Sequence, residues 1–346
     1  MAHRKLKVLI ADDSAFMRLL LSDMLSADKE LEVVGAAVDG KDVATKVRQL
    51  DPDVVVLDMI MGQYSGIYAV KRIMKENPLP ILILSGVGNT DLEPIFDALK
   101  HGAVDYMNKP SRGNTKMRSM NGELIKKIKS VARAKPKVTS TNEALKNLAH
   151  TFDGKSQYHV IVIGASTGGP SAIEEVVSAL PANLNVPVII CQHMPANFIH
   201  PFVKRLNELS PLQVVVGTKT MTPRPGMVIV APGNANMVVE RKKNSKRVQI
   251  GFSQEVYPEY NNPSVNALML SVAEHYGGKS IGVILTGMGK DGMLGLKAIK
   301  DKGGFTIAQD ASTSVIYGMP KAAMENHAVC QQLGIKEIGS FLVNSL

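Results

Sequence analysis

The first 110 residues alternate short, wholly apolar runs with longer stretches in which apolar positions recur at helical spacing. KVLIADD, LEVVGAAV, DVVVLDM, PILILSG and VDYMNKP are the runs, and SAFMRLLLSDMLSA, KDVATKVRQL, IYAVKRIMKE and LEPIFDALKHG lie between them. Strands that are apolar on both faces and separated by helices indicate a parallel sheet covered on both sides. The pattern returns after residue 156 with HVIVIG, a helix over Pro170–Leu180, VPVIICQ, a helix over Asn197–Leu209, and later IGVILTG followed by MLGLKAIKDKG. NMVVE and VQIGF flank the run RKKNSKR, which reads as a solvated hairpin turn. The expected architecture is α/β, with two doubly wound domains. No period of 20 to 50 residues recurs, which excludes a repeat protein.

Length and composition agree with that division. A chain of 346 residues, 45% hydrophobic and 21% charged, is long enough for two domains that each bury a core. The net charge of +9 invites a nucleic-acid reading until it is located along the chain. Residues 1–110 hold 13 basic and 16 acidic side chains, residues 111–155 hold 11 and 3, and residues 156–346 hold 16 and 12. The excess therefore sits in a middle segment, read as a linker entered by a helix around Gly122 to Ala134. No helix-turn-helix pair or basic-aromatic interleaving accompanies it, so no nucleic-acid partner is expected. Two cysteines, Cys191 and Cys330, cannot build a disulfide framework. The start MAHRKLKVLIADD has a strand-length apolar run where a secretion signal needs a longer one, so the expected compartment is the cytoplasm, without membrane insertion.

In an open parallel sheet, ligands bind beyond the carboxyl ends of the strands. Asp12 and Asp13 end the first run, Asp58 the third, Ser85 the fourth and Lys109 the fifth. Three carboxylates gathered there repel one another unless a cation joins them, and hard oxygen ligands suit Mg²⁺. One of them can then act as nucleophile toward a phosphoryl group. A single strand-end Asp is more often a helix cap, but five such groups in this order are not explained that way. With Pro110 after the lysine, the set resembles the receiver domain of two-component response regulators over about residues 4–125. The resemblance implies a flavodoxin-like fold, Asp58 as phosphoacceptor, Asp12, Asp13 and Asp58 as Mg²⁺ ligands, Ser85 and Tyr106 as switch residues, and Lys109 as the phosphate partner. One departure is Gly62, where receivers commonly carry proline.

In the second half, IVIGASTGGPSAIEEVVSAL is a strand, a glycine-rich turn and a helix. Read as G-x-S-x-G over Gly164, Ser166 and Gly168 it is a nucleophile elbow; as a phosphate cradle it meets neither common nucleotide-binding spacing. His193 follows the next strand and Asp291 follows a later one, which supplies a base and an orienting acid at the same sheet edge. The order Ser, His, Asp differs from that of the α/β-hydrolases. Cys191, two residues from His193, reads as a small buried hydrophobe rather than a nucleophile.

IGASTGGP, CQHMP, PSVNAL, ILTGMGKDG and IAQDASTSVIYGMPKAA together resemble, in that order, the catalytic domain of the chemotaxis protein-glutamate methylesterases, which are also glutamine deamidases. The resemblance implies a Rossmann-like catalytic domain and the arrangement receiver over 4–125, linker over 126–156 and esterase over 157–346. It further implies Ser166 as nucleophile, His193 as general base, Asp291 as orienting acid, and Thr167 and Met288 as contributors to oxyanion stabilisation. Chemoreceptors would be the substrate, a chemotaxis histidine kinase the phosphodonor, and the ester hydrolysis would use no cofactor. Asn236 stands where the family carries His and Asn266 where it carries Asp; neither belongs to the triad.

Overall fold

The computed structural model describes residues 4–86, 92–109, 117–134, 157–242, 245, 247–259 and 261–346. Two compact units divide the chain, Met1–Asn142 and Glu143–Leu346.

The first unit alternates β1 (Leu6–Ala11), α1 (Ala15–Ser26), β2 (Leu31–Ala37), α2 (Gly40–Leu50), β3 (Val54–Asp58), α3 (Gly66–Glu76), β4 (Ile81–Ser85), α4 (Glu93–Lys100), β5 (Asp105–Asn108) and α5 (Met117–Val131). All five strands are parallel, in the order β2-β1-β3-β4-β5. The apolar runs explain the sheet: Val54, Val55, Val56 and Leu57 in β3 and Ile81, Leu82 and Ile83 in β4 are fully buried, as strands covered by helices on both faces must be. Chain order reverses between β1 and β3, so the crevice opens between Asp12–Asp13 and Asp58.

The helix expected from Gly122 to Ala134 starts earlier and belongs to this unit. Leu124, Ile128 and Val131, spaced four and three residues apart, are buried in α5, and Ala134 just beyond it is buried too. Its lysines are spent locally. Lys127 Nζ lies 3.0 Å from Asp105 Oδ2 and 3.1 Å from the Tyr106 carbonyl, and Lys129 pairs with Asp28 at 2.9 Å and with Glu30. Hence the compact body of the first unit runs at least nine residues past 125, and the basic stretch that reads as a linker begins inside a packed helix.

The second unit contains β6 (Val160–Ala165), α6 (Gly169–Ser178), β7 (Val188–Gln192), α7 (Ala196–Leu209), β8 (Gln213–Val216), β9 (Met227–Val230), β10 (Asn236–Arg241), β11 (Val248–Ser253), α8 (Val265–Tyr276), β12 (Ser280–Ile284), α9 (Met293–Asp301), β13 (Phe305–Gln309), α10 (Met319–Glu325), β14 (Gln331–Leu333) and α11 (Ile335–Asn344). Seven parallel strands form one sheet in the order β14-β13-β12-β6-β7-β9-β8. β10 and β11 make the expected antiparallel hairpin, Asn236 opposite Ser253 through Arg241 opposite Val248. The chain leaves β6 toward β7 on one side and returns to β12 on the other, so the reversal point lies between β6 and β12. Ser166 follows one of these strands and Asp291 the other. Among the described residues no helix is long and apolar enough to cross a membrane.

Candidate active site and phosphoacceptor pocket

At the carboxyl edge of the first sheet, Asp12 and Asp58 are 1% and 4% exposed. Lys109 Nζ reaches both, at 2.7 Å from Asp12 Oδ2 and 2.6 Å from Asp58 Oδ2. The lysine is placed by β5 and by its own N–H, which donates to the Ser85 carbonyl at 2.6 Å. Burial pushes the Asp58 carboxyl up, with the neighbouring Asp12 charge adding to it, against the opposing pull of Lys109. Burial would lower the Lys109 ammonium, but its bonds to the two carboxylates prevail and hold it above its ordinary value. One lysine thus faces two buried carboxylates, with the exposed Asp13 close by. Asp12, Asp13 and Asp58 each offer an oxygen within 4.8 Å of the others. Such a set of hard oxygens, one of them open to water, fits Mg²⁺. Ser85 is buried at the end of β4 and its hydroxyl has no hydrogen-bond partner among the described residues, which leaves it available to a bound oxyanion. Tyr106 is buried on β5, and burial raises its phenol far above the ordinary value. A Cβ at Gly62 would meet nothing within 4 Å, so a small side chain has open space there.

In the second unit, β6 hands directly to Ser166. The turn depends on glycine at two points. Gly168 has a φ of +73°, where a side chain is strained and would also strike Val315. A Cβ at Gly287, in the loop after β12, would lie 2.8 Å from the Ser166 Cβ. Ser166 N–H donates to the Thr286 carbonyl at 3.0 Å, so the turn at Ser166 and the β12 loop are laced together. Thr286 in turn donates from Oγ1 to the Thr167 carbonyl at 3.0 Å, and its N–H is accepted by Gln309 Oε1 at 2.8 Å. Thr167 is buried, while Met288 is 42% exposed.

His193 emerges from β7, the neighbour of β6, and its Nε2 lies 2.8 Å from Asp291 Oδ2. The carboxylate is completely enclosed and the imidazole 16% exposed. Asp291 does not cap the helix beside it, whose N-cap is Gly292. It faces the amino end of α8 instead. Oδ1 accepts from Ser264 Oγ at 3.1 Å, Asn266 N at 2.9 Å and Gly292 N at 2.9 Å; Oδ2 accepts from Val265 N at 2.8 Å and Asn261 Nδ2 at 3.3 Å in addition to His193. Burial alone pushes this carboxyl up, but His193 and the helix N–H groups outweigh it, and the carboxyl stands below its ordinary 3.8. An ionised acid with so many donors fixes the imidazole tautomer: Nε2 carries the hydrogen toward Asp291, and Nδ1 is the nitrogen left to accept a proton.

α8 and its part in holding the acid are additions to the elements that the apolar pattern predicts. The signal was present in PSVNAL, where Ser264 precedes Val265, Leu268, Met269 and Val272 at helical spacing, and Ser264 Oγ does accept from Ala267 N. Asn236 and Asn266 prove to lie beside the acid, Asn266 bonding it directly through its N–H and Asn236 acting through Ser264. Asn236 Oδ1 accepts from Ser264 N at 2.9 Å, and Asn266 accepts from Gly295 N while its amide donates to Glu259 at 2.9 Å. Cys191 is buried inside β7 and burial raises its thiol far above the ordinary value; it is a packing residue. Ser166, His193 and Asp291 sit at the ends of the adjacent strands β6, β7 and β12.

A doubly wound sheet with an acidic strand-end cluster, followed in the chain by a second that carries a serine, a histidine and a buried aspartate beyond its strand ends, defines a class: response regulators with a hydrolase output domain. Residues 161–342 match the CheB methylesterase family and residues 8–121 the response regulator receiver domain. The chain is 39% identical over 332 residues to protein-glutamate methylesterase/protein-glutamine glutaminase 1 of Carboxydothermus hydrogenoformans, covering 96% of each. It is 36% identical over 345 residues to the protein-glutamate methylesterase/protein-glutamine glutaminase of Archaeoglobus fulgidus, covering 99% of this chain and 98% of that one. The crystal structure of the Thermotoga maritima CheB methylesterase catalytic domain superposes with a TM-score of 0.53 at 33% identity, covering 55% of this chain and 99% of that one. This chain belongs to the CheB methylesterase family.

Proposed function

We propose that the protein hydrolyses γ-glutamyl methyl esters, and deamidates glutamines, on the cytoplasmic helices of chemoreceptors, under control of phosphorylation at Asp58. The observation that carries this reading is the buried, ionised Asp291 holding His193 by Nε2 at the strand end next to Ser166. Ser166 Oγ attacks the side-chain carbonyl while its proton passes to His193 Nδ1. The resulting oxyanion is stabilised in the turn around Thr167 and Met288. Collapse breaks the bond to methoxide or amide, which leaves as methanol or ammonia with the proton from His193. Water, deprotonated by His193, then splits the acyl-serine and releases glutamate. The oxyanions from ester and amide differ only in the leaving group and collapse to one acyl-enzyme, which is why one site serves both. Throughout, Asp291 stays ionised and steadies the imidazolium.

In the receiver, Asp12, Asp13 and Asp58 would hold Mg²⁺, which when bound neutralises charge on the transferred phosphoryl oxygens. Asp58 takes the phosphoryl group from the histidine kinase, Lys109 pairs with it, and the buried Ser85 hydroxyl and Tyr106 register the change. Residues 4–125 thereby receive the signal, 157–346 catalyse and 126–156 connect them, the first residues of that connection, through Val131, forming the last turns of α5. The work is done in the cytoplasm, where the kinase and the receptor helices meet. Methanol release from methylated receptors, with and without a small phosphodonor, tests the reading: a wild-type protein that releases none overturns it, and so does an Asp58→Asn variant that is still activated.

A further inference from the structure

Gln192 is the last residue of β7, directly before His193, and is 1% exposed. Its Nε2 donates twice, to the Ser166 carbonyl at 2.9 Å and to the His193 carbonyl at 3.0 Å. The sense of the amide is fixed by its surroundings, since the reverse orientation would set Oε1 against two carbonyl oxygens. Oε1 points instead at the start of α6. A Cβ on Gly169 would fall 2.1 Å from it, so only glycine there leaves it room. That oxygen is buried and has no hydrogen-bond donor among the described residues.

An unpaired buried acceptor is unfavourable by about 1–3 kcal/mol. A Met of similar length would fill the space without that penalty, but it would forgo the two hydrogen bonds that Nε2 donates to the Ser166 and His193 carbonyls. What the amide supplies is geometry. The Ser166 carbonyl also accepts from Gly169 N at 2.8 Å, and the His193 N–H donates to the Ala165 carbonyl at 3.0 Å. Gln192 closes this lacing with a single rigid group that bonds the main chain of the serine and of the histidine at once.

We propose that Gln192 is a positioning residue that sets the separation between the Ser166 hydroxyl and the His193 imidazole. It touches neither substrate nor a reacting atom, and the inference rests on the roles given to Ser166 and His193 above. Misplacing a reacting group by about 1 Å costs on the order of 10²-fold in rate, and loosening one of two strand ends is a shift of that kind.

The test uses the full chain with Mg²⁺ and a small phosphodonor, comparing wild type with Gln192→Met and Gln192→Glu. Methanol release from methylated receptor gives kcat and KM, labelling of Ser166 by a fluorophosphonate reports serine reactivity without the substrate, and thermal unfolding reports stability. With each variant assayed below its melting temperature, both are expected to lose roughly 10- to 100-fold in kcat and a parallel factor in labelling rate, with KM within about twofold; Gln192→Glu should also melt lower, because a carboxylate oxygen then faces the Ser166 and His193 carbonyls. Gln192→Glu guards against a Met variant that does not fold, because a glutamate of the same shape donates at most one hydrogen bond in either protonation state. A folded variant with wild-type kcat and labelling rate overturns the inference, as does a loss confined to KM. If the wild type releases no methanol, the esterase reading fails while the labelling rates still decide the part played by Gln192.

Discussion

Replacing Asp291 by Asn removes one charge and almost no volume, and the structure says how much should follow. Each carboxylate oxygen serves three donors, with Val265 N on one side and Asn266 N and Gly292 N on the other. An amide has one oxygen and one NH₂, so whichever way it turns, at least one buried backbone N–H meets a donor instead of an acceptor. At about 1–3 kcal/mol for each group left unsatisfied, and with the helix terminus losing its counter-charge, the second domain should lose roughly 2–4 kcal/mol. If the NH₂ faces His193, Nε2 must become the acceptor and the hydrogen moves to Nδ1, the nitrogen that has to take the serine proton. The same change in serine proteases costs about 10⁴ in kcat by the wrong-tautomer route, equivalent to about 5.5 kcal/mol in the barrier. Methanol release should therefore fall by about 10³ to 10⁴, alongside a lower urea midpoint. The acid also sets a pH signature. Its folded pKa lies below the ordinary 3.8, so the stability it contributes is present above that pH and is lost as pH falls through the folded value. The Asn variant should lack that acid-side loss. Activity within tenfold of wild type would refute the tautomer argument, and an unchanged urea midpoint would refute the claim that the carboxylate closes the amino end of α8.

Three further outcomes follow from the packing and charge. Asp58→Asn should abolish activation by a small phosphodonor and, with Mg²⁺ chelated, raise the urea midpoint of the first domain, because it relieves the repulsion of two buried carboxylates that share one lysine. Cys191→Ala should keep kcat within about twofold, since a thiol held neutral inside β7 takes no part in the chemistry, and should cost only the small stability of a buried sulfur. Gly164→Ala should destabilise the second domain by about 1–3 kcal/mol in urea, because the new methyl lies 2.2 Å from Val265 Cγ1 and drives α8 off β6.

Both sheets were legible because a parallel strand writes itself as an apolar run, and the residue that ends it is the one that reaches the crevice. Asp58 after VVVL and His193 after VIICQ needed no partner to be noticed. The supports were harder to see because they are nonlocal. Gln192 reads as the end of a strand until its amide is found bonded 26 residues back at Ser166. Asn266 reads as a departure from the family outside the triad until its N–H is found on Asp291. α5 was obscured for a different reason. Lys126, Lys127 and Lys129 give the stretch the composition of a linker, and only the partners Asp105, Asp28 and Glu30 show that two of these charges belong to a packed helix. Composition registers the exposed face of such a helix; the buried face at Leu124, Ile128 and Val131 carries the fold.

The central claim is that Ser166 carries the acyl group between ester and water. Its most direct test is to incubate methylated chemoreceptor with Ser166→Ala protein and with wild type, both with Mg²⁺ and a phosphodonor, and to measure methanol. Wild-type protein should release it, and the Ala variant, folded to the same melting temperature, should release none above background. Methanol at the wild-type rate from the Ala variant would contradict the account.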